Sequence, residues 1–227
     1  MGRTHSFLDV RLGPDQVRAA YSRLAPLYDL WSLFTENRAR ARSLALAAIR
    51  DAESVLEVAV GTGETFARVL AANPAGRVEG IDLTPAMLER ARARAARTGH
   101  SNHRLAVGDA HRLEFAGGTF DVLLNSYLFD LLPEEDFLPV LAEFFRVLRP
   151  GGRLVLTNLA PGRGASYALW SWIYRRAPAL LGGCRGVELA PFVGRAGFQN
   201  VRRETVTQGT IVSEIVTGHR PRAGGAR

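Results

Sequence analysis

The chain has 227 residues, 47% of them hydrophobic and 22% charged, enough for one large domain with a sizeable core, so global disorder is excluded. The single cysteine, Cys184, cannot form an internal disulfide and reads as a small buried side chain, which predicts a reducing, cytoplasmic setting. The net charge of +7 is uneven: residues 1–160 balance 19 Arg with 19 acidic residues, whereas residues 161–227 set 10 Arg against Glu188, Glu204 and Glu214. Such local excess predicts either an anionic partner or a solvated face with a basic tail.

No apolar stretch reaches the roughly 18–20 residues that span a bilayer, and the first ten residues offer no secretory signal. Pro14-Asp15 opens an expected helix to about Ala25, and a second helical pattern runs from about Asn37 to Arg50. Strands are then expected at Ser54–Val60, Arg77–Ile81, His103–Val107, Phe120–Leu124 and Arg153–Thr157. Helices fall between them: one after the glycine-rich turn through Leu70, one over Pro85–Ala96, and one over Glu134–Leu148 ahead of Pro150-Gly-Gly. This alternation predicts a mostly parallel sheet with ligands at the C-terminal strand ends. Residues 165–176 are apolar and aromatic nearly all round, a short helix is expected near Glu188–Ala196, and Val201–Thr207 and Thr210–Thr217 read as an antiparallel hairpin finishing the sheet. The expected organisation is an N-terminal helical cap (1–50) and an α/β core (51–227) with a lid at about 161–186.

The chemistry sits at the strand ends. Glu57-Val-Ala-Val-Gly-Thr-Gly63 closes the first strand with glycines that allow a tight turn and close ligand approach. A dinucleotide fingerprint wants glycine where Phe66 stands, and Glu64 at the helix start repels a phosphate. The loop therefore suits a ligand with a cationic or zwitterionic end. Asp82 ends the second strand, where a carboxylate can accept from both ribose hydroxyls, while Thr84 before Pro85 fills the helix-cap role. Asp109-Ala110 follows the third strand and can take an adenine amino group; Asn125-Ser126 ends the fourth. Together these marks describe a nucleoside lying across the sheet edge. The alternatives on the same fold are a non-catalytic nucleoside-binding protein and, disfavoured by Phe66 and Glu64, a nicotinamide-dependent dehydrogenase.

The ordered set Val55–Gly63, Gly80-Ile-Asp-Leu-Thr-Pro-Ala-Met-Leu88, Gly108-Asp-Ala110, Phe120-Asp-Val122 and Phe145–Gly152 resembles the class I S-adenosylmethionine-dependent methyltransferases. With Tyr21-Ser-Arg-Leu-Ala-Pro-Leu-Tyr-Asp29, it is similar to the ubiquinone/menaquinone C-methyltransferases and the bacterial phosphatidylethanolamine N-methyltransferases. The resemblance implies a Rossmann-like methyltransferase fold with a seven-stranded sheet, and S-adenosylmethionine as co-substrate. It places the methionine end at Thr62 and the Gly61 and Gly63 backbone, the ribose at Asp82, the adenine at Asp109 and Ala110, and Ser126 near the sulfonium, with Glu57, Ala59, Leu83 and Asn125 as further cofactor-binding candidates. Two departures stand out: Ala59-Val60 replaces a smaller pair, so Val60 must point away from the ligand, and Tyr127-Leu-Phe-Asp130 replaces a Gly-Leu-Arg-Asn-like segment of the quinone enzymes.

Methyl transfer is an in-line displacement that needs alignment and exclusion of water rather than a metal, and the five scattered histidines suggest no metal site. Tyr28, Tyr127, Asp130 and Trp170 are the candidates for touching substrate, each with a packing or capping role as its alternative. The expected acceptor is a lipophilic small molecule, a prenylated quinol or a phospholipid head group; a soluble metabolite is the alternative. Residues 165–185, with Trp170, Trp172 and Arg175, Arg176 and Arg185, either cover the active site or make a peripheral membrane contact. A nucleic-acid partner is not expected, because no RNA-binding module or zinc motif accompanies the basic excess.

Overall fold

The computed structural model describes residues 36–161, 185–209 and 211–222. Seven strands form one sheet: β1 (Ser54–Val58), β2 (Arg77–Asp82), β3 (His103–Val107), β4 (Phe120–Ser126), β5 (Leu148–Leu159), β6 (Gln199–Gln208) and β7 (Ile211–His219). Their order is β3-β2-β1-β4-β5-β7-β6, parallel from β3 through β5, with β7 antiparallel to both its neighbours. The order reverses between β1 and β4, the switch point outside whose carboxyl ends an open α/β sheet binds ligands. The expected hairpin is present, with its second strand inserted between β5 and β6.

Among the described residues five helices flank the sheet: α1 (Asn37–Ala47), α2 (Glu64–Ala72), α3 (Pro85–Ala96), α4 (Phe137–Val147) and α5 (Ala190–Arg195). Alternation along each strand divides the core in two. On one face Leu56, Leu123, Leu154 and Val216 pack with Phe137, Leu141 and Phe144 of α4 and Val193 of α5. On the other, Val55, Val78, Val122 and Ile215 pack with Phe66 and Leu70 of α2, Leu88 and Ala91 of α3, and Ala47 of α1. Residues 1–35 and 162–184 lie outside the described residues, so the first expected helix, most of the cap and the lid are not placed; α1 itself is a layer on the sheet. Among the described residues no helix is long and apolar enough to cross a membrane.

Three local outcomes differ from the pattern. Glu134–Asp136 forms a separate 3-10 turn before α4. The Pro-Gly-Gly segment does end α4, but it is absorbed into β5 as a register shift opposite Phe120/Val122. Several C-terminal arginines are structural. Arg220 Nη1 donates to the Phe145, Arg146 and Leu148 carbonyls at the end of α4 (2.6–3.0 Å), Arg203 pairs with buried Glu214, and Arg185 is buried against the Leu132 carbonyl at 2.6 Å. Three of the ten C-terminal arginines thereby have partners within the fold.

Phe66, the residue that breaks the dinucleotide fingerprint, is fully buried and lies across Gly80 of β2. A Cβ at Gly80 would come within 2.7 Å of Phe66 and Leu105 and 2.8 Å of Val60. Gly80→Ala should therefore overpack the site from three sides and cost about 1–3 kcal/mol. Urea unfolding checks this; stability equal to wild type would show that the three side chains can yield.

Candidate functional site

The glycine-rich loop is shaped by a carboxylate from the next unit. Asp82 Oδ2 accepts Gly61 N–H and Oδ1 accepts Thr84 N–H, both at 2.8 Å. Gly61 and Gly63 take left-handed φ of 54° and 80°, and a Cβ on Gly63 would meet Ala91 at 2.8 Å, so glycine is needed there for both conformation and room. Thr84 departs from expectation. It occupies the N-cap position of α3 but makes no side-chain cap bond, because its hydroxyl is directed to Asp82. Burial raises the Asp82 pKa against the opposing pull of these donors. These three donors take three of the four lone-pair positions of the carboxylate, so one remains to accept a ligand hydroxyl.

Val60 points into the core, as its bulk requires, and Ala59 takes the strained φ of 57°. Glu57, next to last in β1, faces the α1–α3 side, buried, with no hydrogen-bond partner for Oε2. Burial pushes its pKa up to about 8; Arg40 opposes this and Asp82 adds to it. Arg40, from α1, bonds Glu36 at 2.5 Å and stacks its guanidinium 5.8 Å from the Tyr127 ring. Arg94, from α3, donates to the Thr62 carbonyl and hydroxyl at 2.6 and 2.9 Å. Neither arginine was singled out from the sequence, since both act across long chain separations.

The remaining candidates divide. Asn125 is buried and donates to the Val58 carbonyl at 2.8 Å, locking β4 to β1, while its Oδ1 has no hydrogen-bond partner. Ser126 is half-buried, Ala110 is buried, and Leu83 is exposed beside Asp82. Asp109 is accessible on the loop after β3, bonded to His111. Tyr127 is buried with φ of 58°, its hydroxyl 2.9 Å from Ser213 Oγ and its N–H bonded to the Thr157 carbonyl. Asp130 is completely buried and accepts Leu159 N–H at 3.0–3.1 Å, and burial holds its pKa well above the usual carboxylate range. Tyr28 and Trp170 lie outside the described residues.

The chain matches the family described as "Methyltransferase domain" over residues 55–152. It is 32% identical over 225 residues to the demethylmenaquinone methyltransferase of Thermus thermophilus, covering 88% of this chain and 100% of that one. The chain belongs to the S-adenosylmethionine-dependent methyltransferases. A second relative of this methyltransferase is the ubiquinone/menaquinone biosynthesis C-methyltransferase of Desulfotalea psychrophila, 34% identical over 73% of this chain and 68% of that one. A solved structure of phosphoethanolamine N-methyltransferase 2 from Haemonchus contortus, in complex with S-adenosyl-L-methionine, shares the fold at a TM-score of 0.64 and 16% identity, covering 80% and 53% of the two chains.

The residues present fit this co-substrate. Glu57 Oε2 and Asn125 Oδ1 are buried acceptors without a protein donor, and Gly61 in the adjoining loop has open space where a side chain would stand. A cationic ligand at Glu57 would supply the missing donor and favour the ionised carboxylate. Without ligand, the raised pKa of Glu57 means that its protonated form favours the fold. That stability is fully present below the ordinary carboxylate pKa of 4.5 and is lost as pH rises to about 8. Glu57→Gln should therefore melt higher than wild type at pH 9 while binding S-adenosylmethionine more weakly. Thermal unfolding from pH 5 to 9 checks the first effect and calorimetry the second; a variant less stable than wild type at pH 9 contradicts the assignment.

Proposed function

We propose that the methyltransferase transfers a methyl group from S-adenosylmethionine to a lipophilic small-molecule acceptor, a prenylated quinol or a phospholipid head group. The observation that carries this reading is the likeness to the Thermus thermophilus demethylmenaquinone methyltransferase along that protein's whole length. When bound, the co-substrate supplies an electrophilic methyl group on a sulfonium. Gly61, Thr62 and Gly63 would hold its methionine end with Glu57 and Ala59, Asp82 and Leu83 its ribose, and Asp109 and Ala110 its adenine. Asn125 and Ser126 would border the reacting end.

The chain's own part is alignment. Asp82 and Arg94 fix the loop before any ligand arrives, so little ordering is left to be done on binding. The segment after β4 sets this chain apart from the quinone enzymes. The left-handed φ of Tyr127 is one that glycine, usual there in those enzymes, adopts without strain. Here the strain is offset by the Ser213 bond and the Arg40 stack. With Asp130 buried under Leu159, an altered acceptor-side wall is supported, which keeps both acceptor classes in play.

Asp82→Ala should lose hydrogen bonds to the ribose worth about 1.5–3 kcal/mol, roughly 10–150-fold in affinity by calorimetry. Unchanged binding would refute the placement. For the acceptor, lipid and quinone extracts of a deletion strain should accumulate an unmethylated species by mass spectrometry, and purified enzyme should favour long-chain over short-chain acceptors. Equal turnover on a small water-soluble acceptor would leave a soluble-metabolite methyltransferase. A peripheral membrane role of residues 165–185, and a localisation at the cytoplasmic membrane surface, predict salt-sensitive co-sedimentation with anionic vesicles.

A further inference from the structure

The His111 ring is held at both ends. Nδ1 lies 2.8 Å from Asp109 Oδ1 on its own loop, and Nε2 lies 3.2 Å from Asp136 Oδ2 on the 3-10 turn before α4. Ionised carboxylates only accept, and a neutral imidazole has a single N–H, so both contacts together require the doubly protonated ring. The same Asp109 oxygen also takes the His111 backbone N–H at 2.9 Å, which leaves Oδ2 directed elsewhere.

We propose that His111, as an imidazolium, is the positioning residue of the adenine end: it orients Asp109 to accept the exocyclic amine and clasps the loop after β3 to the turn before α4. This rests on the S-adenosylmethionine reading above. The side chains concerned keep between 33% and 55% of their exposure, so the ion pairs themselves add little stability. Their effect is geometric. Losing one ring proton leaves a carboxylate facing a lone pair, and either Asp109 is held by the His111 backbone N–H alone or the link to Asp136 opens.

The charged groups facing the ring are Asp109 and Asp136. On α4, Glu143 is engaged by Arg146 and by Leu113 N–H, while Arg112, Glu134 and Glu135 are exposed and make no bond to the ring. Burial of His111 works against its charge, but the two carboxylates outweigh this and its pKa is raised; that of Asp109 is lowered. The clasp is therefore complete below the ordinary histidine pKa of 6.5 and is lost as pH rises through the raised value, with Asp109 ionised throughout.

The test uses the full chain. NMR titration should give His111 a pKa above 6.5 in wild type and a lower one in Asp136→Asn. Calorimetry with S-adenosylhomocysteine from pH 5.5 to 8.5 should show wild type about fivefold tighter than His111→Gln at the acid end, the two converging at the alkaline end. Taking this ratio cancels the opposite pH dependence of Glu57. With S-inosylhomocysteine, which lacks the amine, the ratio should stay near one at every pH. A ratio independent of pH, or one equal for the two ligands, overturns the positioning role while leaving the co-substrate reading intact. Failure of wild type to bind either S-adenosylmethionine or S-adenosylhomocysteine at any pH overturns the co-substrate reading, and the positioning role falls with it.

Discussion

The site depends on one buried carboxylate. Asp82 stands at the end of β2, yet its bonds to Gly61 N–H and Thr84 N–H set the backbone of two loops at once. A carboxylate taken out of water is costly unless donors meet it, and here backbone N–H groups do so from both sides. Arg94 adds a second tie from the same βα unit, reaching Thr62 through its carbonyl and hydroxyl. The glycine-rich loop therefore inherits its shape from the chain that follows it. Loops of this kind hold their geometry because the sheet fixes the distance between neighbouring strand ends.

Much of this was legible in advance for a physical reason. Strand and helix periods differ, and Glu57, Asp82, Asp109 and Asn125 interrupt apolar strands at their carboxyl ends, where register brings them together. Pro85 marked the start of α3 correctly. What could not be read were interactions without local signature. Arg40 and Arg94 sit among many arginines, and only the packed fold selects them. Thr84 resembled a cap because its spacing to Pro85 fits one, yet its hydroxyl donates to Asp82 two residues earlier and makes no cap bond. Gly80 gave no hint that its missing side chain accommodates Phe66.

The basic C-terminal third carries a related lesson. Among its described arginines, Arg185, Arg203 and Arg220 satisfy carbonyls and carboxylates of the fold itself. In a chain without lysine, arginine serves structural tasks for which its planar fork is well suited. A regional count of charge therefore includes side chains that the fold itself engages.

The sheet order has a temporal consequence. β6 leaves the ribosome before β7, yet within the sheet its one hydrogen-bonded neighbour is β7. Until β7 emerges, the nascent chain carries an open edge on β5 and an unpaired β6, both rich in groups that seek partners. The five parallel strands can assemble first, while the last two must dock together. Co-translational folding would then proceed in two stages, with the interval between them as the time of greatest exposure to misassembly.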